Sequence, residues 1–478
     1  MKVKPLQYDP SQPDAEQFDK LERSQELVNL TTIIKALDPP YVLAIDSDWG
    51  TGKTTFIRMW ENRLKSEKYS TLFFNAWEND FVDDPMVAFI SELDGGIKII
   101  LNDLPDNKNL RSKAITALEA TTRFGIKILP ALARAGTGAI TNWTIGEKTG
   151  EEVREIISST TEALTQEWVK KYQNNKNIIL EFKEKLEGLV KALNEARGDD
   201  ANKPLIFFVD ELDRCRPPFA IQLLERIKHF FSVGGIIFVL AIDKRQIEHS
   251  VRGVYGSGIN VDGYLRRFID FDYRLKKPDA KKYIYFLFQE FGIDKALIDK
   301  FQRGGFLQLL PILKDILTEL SDIFGLSLRE QEQLCLRFNL IIRTISPHRE
   351  FPWTVISTLL VLSIKDYRLY AEMKNGDISP TVALEKIKKA LKETDYLGVY
   401  DWIGEFETNV LWATTNQNEL ISRVNKFKKQ EANGILSPDN KREDCINRLL
   451  EKGFGRTGKV DLSNSFDWIE LVERIQWA

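Results

Sequence analysis

The sequence Ser-Asp-Trp-Gly-Thr-Gly-Lys-Thr-Thr at residues 47–55 follows the apolar run Tyr41–Ile45 and precedes the segment Phe56–Trp60. This order predicts a strand, a glycine loop and then a helix. The stretch fits the phosphate-binding pattern G-x-x-x-x-G-K-[ST], except that Ser47 stands at the first glycine position. The two glycines allow a tight turn whose backbone N–H groups point into one concavity, and the helix N-terminus adds positive charge. The loop is predicted to bind phosphates; the alternative is a chance glycine turn before a helix.

Individual loop residues have distinct expected roles. Lys53 supplies a mobile cation for the β- and γ-phosphates, and the Thr54 hydroxyl is a candidate ligand for Mg²⁺. The residues predicted to contact the nucleotide are Ser47, Asp48, Trp49, Gly50, Thr51, Gly52, Lys53, Thr54 and Thr55.

A second segment, residues 204–214, is an apolar run that ends in acidic residues, Pro-Leu-Ile-Phe-Phe-Val-Asp-Glu-Leu-Asp-Arg. This pattern is typical of a strand buried on both faces of a parallel sheet, with its carboxylates at the ligand-binding edge. Asp210 is expected to hold Mg²⁺ through water, and Glu211 to orient and deprotonate an attacking water. The alternative is an acidic strand end that caps the next helix.

The composition indicates a soluble globular protein of two or three domains. The 478 residues are 43% hydrophobic and 29% charged, and the net charge is -3, so no overall basic field favours nucleic acid or anionic lipid. Three scattered cysteines do not make a disulfide framework, and the first residues contain no apolar signal region. We therefore expect a cytoplasmic location.

The remaining patterns divide the chain. Residues 17–37 read as a helix, residues 69–74 and 236–243 as further strands, and every strong pattern after Pro278 is helical. The long interval between the second strand and Asp210 predicts a helical insertion over about 84–202, in which residues 151–196 are expected to form two amphipathic helices. The predicted domains are an α/β core over 1–275, interrupted by this insertion, and an all-α domain over 276–478.

The segment Ala114–Trp143 is rich in Ala, Ile and Leu, but charges interrupt it. A membrane span needs about 20 predominantly apolar residues, so we predict no transmembrane segment. A hairpin lying on a membrane surface is the alternative.

Three motifs together resemble the KAP family of P-loop NTPases. They are Trp-Gly-Thr-Gly-Lys-Thr at 49–54, Phe-Asn-Ala-Trp at 74–77 and Asp-Glu-Leu-Asp-Arg-Cys-Arg-Pro at 210–217. The resemblance covers about residues 17–275 and implies a RecA- or AAA-like parallel sheet of the additional-strand type that binds ATP and Mg²⁺. Many bacterial relatives look like antiviral or mobile-element defence components. Ser47 departs from the family's usual glycine, and the charged insertion departs from members with transmembrane helices.

Further candidate roles come from position in this fold. Asp243 ends a strand where such ATPases place a γ-phosphate sensor, although it also fits an ordinary strand-end acid. Asn75 is a candidate partner of the attacking water or Glu211, or else a turn residue. Three arginines complete the predicted catalytic set, each with a surface or helix-start ion pair as its alternative: Arg266, Arg267 and Arg329.

Arg266 and Arg267 are predicted to reach a neighbouring subunit's γ-phosphate, and Arg329 to act as a lid arginine. Arg214 and Arg216 are instead expected to pair with Asp213.

The predicted function is Mg²⁺-dependent ATP hydrolysis, with Glu211 activating water, in a switch or assembly factor that forms homo-oligomers and binds other proteins of a defence system. Three alternatives remain: an ATP-binding scaffold with little turnover, a nucleic-acid-stimulated ATPase, and a peripheral membrane organiser.

Overall fold

The computed structural model describes residues 19–82, 84–103, 108–136, 162–197, 203–228, 232–300, 309–344, 352–390 and 417–432, with seven single positions between 406 and 470. The chain divides between Lys276 and Lys277 into two compact units. The first contains the nucleotide motifs, and the second begins at Lys277.

A five-stranded sheet forms the centre of the first unit. Its strands are β1 (Tyr41–Asp46), β2 (Ser70–Asn75), β3 (Leu205–Asp210), β4 (Ile236–Ile242) and β5 (Phe271–Arg274). The order is β2-β3-β4-β1-β5, and all four pairings are parallel. Because β4 lies between β1 and β3, the sheet has the additional strand that the sequence analysis expected. The predicted α/β class with helical parts is confirmed.

The strand register brings the predicted chemistry to one edge. Asn75 is level with Asp210 across the β2–β3 pair, and Asp46 is level with Ile242 across the β1–β4 pair. Strands β3 and β4 are buried along their whole length, which explains their uninterrupted apolar sequences.

Strand β5 was not predicted from the sequence. Its four residues, Phe-Asp-Tyr-Arg, are mostly exposed at the sheet edge, so they form no apolar run.

Eight helices are described in the first unit. They are α1 (Ser24–Ala36), α2 (Lys53–Ser66), α3 (Pro85–Asn102), α4 (Lys108–Gly136), α5 (Glu162–Arg197), α6 (Pro217–Ile227), α7 (Lys244–Tyr255) and α8 (Val261–Leu265). Helix α2 continues directly from the glycine loop and fixes itself to the core through Trp60. This side chain is fully buried, lies edge-on to Phe208 with ring centroids 5.6 Å apart, and donates its indole N–H to Thr31 Oγ1 at 3.1 Å.

The segment between β2 and β3 contains α3, α4 and α5. Phe89 of α3 stacks on Phe207 of β3 at 4.8 Å, so α3 covers the sheet. Helices α4 and α5 are antiparallel. Lys113 of α4 lies 2.5 Å from Glu195 of α5, and Thr121, further along α4, donates to the carbonyl of Lys185, which is earlier in α5, at 3.2 Å. The expectation of two helices over 151–196 was wrong for the described part, where α5 is one continuous helix of 36 residues. No helix in the described ranges is both long and apolar enough to span a membrane.

The second unit is helical throughout its described residues. Its helices are α9 (Ala280–Glu290), α10 (Ile293–Lys300), α11 (Leu309–Ile323), α12 (Leu328–Thr344), α13 (Trp353–Lys365), α14 (Tyr367–Lys374), α15 (Pro380–Ala390) and α16 (Gln417–Ala432). Phe338 of α12 packs between Phe288 and Trp353, with ring centroids 6.2 and 5.8 Å away. Helix α13 carries no charge from Trp353 to Ile364 and is buried over almost its whole length.

Candidate nucleotide site

The loop between β1 and α2 has the backbone geometry of a phosphate cradle. Gly50 and Gly52 have φ values of 73° and 83°, in the left-handed region that favours glycine. Ser47 lies outside that region, so its side chain causes no backbone strain. Its hydroxyl lies 2.6 Å from Thr51 Oγ1, while the Thr51 hydroxyl donates to the Asp48 carbonyl at 2.7 Å. Because the one Thr51 proton is used there, Ser47 donates to Thr51 and braces the loop.

The other loop side chains take different environments. Thr54 is exposed at the first turn of α2, and Thr55 beside it is half-buried. Asp48 is half-buried and lies 3.4 Å from Arg245 and 3.9 Å from Arg274. A negative side chain in the loop therefore has two cations nearby.

Lys53 points toward the acidic turn after β3. Its ammonium donates to the Ser47 carbonyl at 2.5 Å and lies 3.4 Å from Asp213 Oδ2. The same carboxylate oxygen accepts the indole N–H of Trp49 at 2.6 Å and the backbone N–H of Asp243 at 3.0 Å. Asp213 thus joins the loop, the acidic turn and the end of β4. The partners predicted for Asp213 from the sequence were Arg214 and Arg216.

That arginine expectation was wrong. Arg214 pairs with Glu211 at 2.7 Å, and Arg216 pairs with Asp80 at 2.9 Å in the loop after β2. The contact between Lys53 and Asp213 has no local sequence signal, because the partners are 160 residues apart.

Asp210 has an acceptor atom free for a cation. Its carboxyl is 1% exposed, Oδ1 accepts the Glu211 backbone N–H at 2.9 Å, and Oδ2 is buried with no hydrogen-bond partner. Burial raises the pKa of Asp210 to about 6, while its interaction with the Thr54 hydroxyl lowers the pKa by a smaller amount. An unpartnered buried carboxylate oxygen beside a threonine hydroxyl fits a Mg²⁺ site. Among the described residues no group of three or more His, Cys, Asp or Glu side chains could hold a metal.

Glu211 is held in an unusual conformation. Its φ of 58° is in the left-handed region, which costs a non-glycine residue roughly 1–3 kcal/mol. Its two carboxylate oxygens have different partners, Arg214 at 2.7 Å and Asn75 Nδ2 at 3.3 Å. The Glu211 carboxylate is therefore held in place by Arg214 and Asn75.

Asn75 does both things that the sequence analysis had left open. Its amide nitrogen donates to Glu211, and its amide oxygen accepts from the backbone N–H groups of Trp77 (3.1 Å) and Glu78 (3.3 Å). The turn orients the amide, so the same residue both shapes the loop after β2 and contacts the acidic residue.

Asp243 lies against the loop with both carboxylate oxygens in use. Oδ1 caps α7 by accepting the Arg245 N–H at 3.1 Å, and Oδ2 accepts the Trp49 N–H at 3.1 Å. Burial raises its pKa, and the positive charge of Lys53 opposes that shift. The residue therefore combines a helix-cap role with a position next to the phosphate loop.

The candidate arginines lie in two places. Arg266 and Arg267 follow α8 directly and are exposed, and no ion pair is found for either one among the described residues. Arg329 is exposed in the first turn of α12, in the second unit. Their roles at a nucleotide remain predictions.

Arg23 is a contact residue that the sequence analysis missed. It is 6% exposed and donates from Nη1 to the Thr51 carbonyl and from Nη2 to the Lys276 carbonyl, both at 3.0 Å. An arginine before the first helix has no distinctive sequence signal, because its two acceptors lie 28 and 253 residues away.

A model of the KAP family P-loop domain matches residues 23–344, more than half of the chain. The chain belongs to the KAP family of P-loop NTPases. The match runs beyond Leu275, where the resemblance seen in the sequence ended, and includes α12. Membership of the KAP family supports nucleotide binding by the loop and the acidic strand described above.

An uncharacterized protein of Methanocaldococcus jannaschii is 46% identical to the chain over 50 residues. The similar region is 10% of this chain and 25% of the relative, so the chain spans about a quarter of the length of that protein.

Proposed function

We propose that this KAP protein is a Mg²⁺-dependent ATPase that acts as a nucleotide-driven switch or assembly factor. The observation that carries the proposal is the 3.4 Å approach of Lys53 to Asp213, because Asp213 is on the turn that begins at Glu211, directly after Asp210. The phosphate-binding cation and the acids for metal and water therefore belong to one site.

Each residue has a chemical task in this proposal. The N–H groups of the loop and Lys53 bind the β- and γ-phosphates. Thr54 and Asp210 hold Mg²⁺, which supplies positive charge against the charge that develops on the phosphates. Glu211 accepts a proton from the attacking water, and Asn75 orients Glu211 through the 3.3 Å contact.

Arg266 and Arg267 have the exposure that a trans-acting cation needs. A homo-oligomer that completes its sites with these arginines is part of the proposal, as is a lid role for Arg329. A domain boundary near residue 275, a cytoplasmic location and partners from an antiviral or mobile-element defence system are the remaining parts. Family resemblance supports the defence role.

A second candidate function is an ATP-binding scaffold with little turnover. One observation favours it: Glu211 forms a 2.7 Å ion pair with Arg214 and accepts from Asn75 at 3.3 Å, so both of its carboxylate oxygens are occupied by protein donors. On this hypothesis nucleotide binding assembles the protein, and hydrolysis waits for a partner that draws Arg214 away.

Steady-state ATP hydrolysis with Mg²⁺ tests the proposal, comparing the wild-type chain with Glu211→Gln over a range of protein concentrations. Glu195→Gln on the exposed surface of α5 is the matched control. We expect turnover to fall at least tenfold in Glu211→Gln, to stay unchanged in Glu195→Gln, and to rise per subunit with concentration.

ATP binding measured by calorimetry, compared with the measured turnover, distinguishes the ATPase from the scaffold. ATP binding without turnover in the wild type supports the scaffold. Absence of binding would contradict both candidates.

A further inference from the structure

The contacts of Asp213 assign it a part in nucleotide binding that goes beyond shaping the turn. Its side chain is 2% exposed, and its Oδ2 atom accepts from Trp49 Nε1, Asp243 N and Lys53 Nζ. Three donors on one buried carboxylate oxygen come from three elements: the loop, the start of α7 and the start of α2.

Lys53 is the only one of these donors that a nucleotide needs. Phosphate-loop lysines reach the β- and γ-phosphates, so bound nucleotide draws the ammonium toward its own oxygens. The two remaining donors, Trp49 Nε1 at 2.6 Å and Asp243 N at 3.0 Å, stay available to the carboxylate. After Lys53 moves to the nucleotide, the buried carboxylate of Asp213 still accepts these two hydrogen bonds, so it does not become an unpaired buried charge.

We propose that Asp213 is an internal anion that competes with nucleotide phosphate for Lys53 and so weakens nucleotide binding. This inference rests on the proposed nucleotide binding at the loop. Asp213 acts through Lys53 and is a positioning residue. Its neighbours Asp210, Glu211 and Asp243 add to the negative charge that an incoming phosphate meets at this edge.

The direction of the effect follows from the charge. In Asp213→Asn the side-chain oxygen still accepts from Trp49 and Asp243, but the negative charge that attracts Lys53 is gone. Nucleotide should therefore bind more tightly to this variant. A residue that merely supported the loop would give weaker binding when changed.

ADP binding to the full chain, measured by isothermal titration calorimetry with and without Mg²⁺, tests the proposal without interference from hydrolysis. We expect the Kd of Asp213→Asn to fall at least threefold. Asp46→Asn is the matched control, since it removes one carboxylate at the same sheet edge, where Asp46 Oδ1 accepts the backbone N–H of Lys244 at 3.1 Å. Its Kd should stay within twofold of the wild type.

Trp49→Phe provides an independent test, in which the expected change in ADP affinity is opposite to that of Asp213→Asn. Loss of the indole N–H leaves Asp213 more dependent on Lys53, so ADP should bind more weakly. In the double variant Trp49→Phe/Asp213→Asn this loss should disappear, whereas a Trp49 that simply contacts the nucleotide would lose the same affinity in both backgrounds.

Unchanged or weaker ADP binding by a folded Asp213→Asn, with the wild type binding ADP, overturns the role of Asp213 and leaves the proposed function intact. Absence of ADP and ATP binding by the wild type overturns both. Asp213→Ser also lacks the charge and provides the same measurement if Asp213→Asn does not fold.

Discussion

Replacement of Arg23 by lysine tests how strongly the buried arginine stabilises the phosphate loop. The guanidinium reaches two backbone carbonyls at once, Thr51 in the loop and Lys276 after β5, each at 3.0 Å. It also lies over the Phe56 ring, 5.9 Å from its centroid. Lysine presents a single ammonium on a flexible stem and cannot reproduce this planar two-point contact.

The magnitude follows from the contacts. A hydrogen bond to a charged group contributes about 1.5–3 kcal/mol, and Arg23→Lys loses at least one of two. Burial lowers the pKa of Arg23, because the charged form is partly desolvated, yet an arginine stays protonated. For a unit of this size each kcal/mol lowers Tm by about 2–4 °C, so we expect a decrease of about 3–12 °C in the unfolding transition of the first unit.

Differential scanning calorimetry of the full chain measures the shift, and saturating ADP should recover part of it because the ligand binds only the native loop. Arg252→Lys is the control, since Arg252 is half-exposed and its ion pair with Glu248 spans 3.8 Å. A Tm for Arg23→Lys within about 1 °C of the Arg252→Lys value would refute the reasoning.

Two further predictions concern a metal and a buried acid. Chelation of Mg²⁺ by EDTA should weaken ATP binding far more in the wild type than in Asp210→Asn, because the unpartnered Oδ2 atom is the proposed metal contact; equal losses in calorimetry would contradict that role. In the second unit, burial raises the pKa of Glu332 above its ordinary value of 4.5. The hydrogen bond from the Tyr283 hydroxyl and the charge of Arg329 lower the pKa by less, and the Cys335 thiol also interacts with this carboxylate. The folded state then binds this proton more tightly, so its stabilising contribution is complete below pH 4.5 and is lost as pH rises through the raised pKa. Urea unfolding should show the wild type gaining stability relative to Glu332→Gln as the pH is lowered from 7 to 5, and a constant difference would contradict the assignment.

The parallel sheet could be predicted because the burial of its central strands requires apolar residues at every position. Strands β3 and β4 are covered on both faces and therefore appear as apolar runs, and each is followed by the acid that marks the ligand edge. The glycine loop is equally local, since Gly50 and Gly52 encode its positive φ values. By contrast β5 is short and exposed, and nothing in its four residues distinguishes it from a loop.

Helix α5 illustrates a different limit of sequence reasoning. The polar stretch Gln-Asn-Asn-Lys-Asn at 173–177 contains poor helix formers and favours a break between two helices. Each asparagine costs only a fraction of a kcal/mol in a helix, however, and Phe182, Leu186 and Leu189 of α5 are buried in the hydrophobic core of the first unit. Tertiary packing outweighs the local preference, and the helix continues.

The contacts of the site that could not be predicted from the sequence are the ion pairs between its charged groups. Lys53 is near Asp213, and Glu211 is bound by Arg214, so the phosphate cation and the candidate base each have a protein partner. In the proposed ATPase, phosphate replaces Asp213 as the partner of Lys53, and hydrolysis requires Glu211 to separate from Arg214. Because both pairs belong to the turn at residues 211–214, movement of this turn can link phosphate binding to release of the base. In the proposed switch, nucleotide binding and hydrolysis are therefore controlled by two separate ion pairs of one turn.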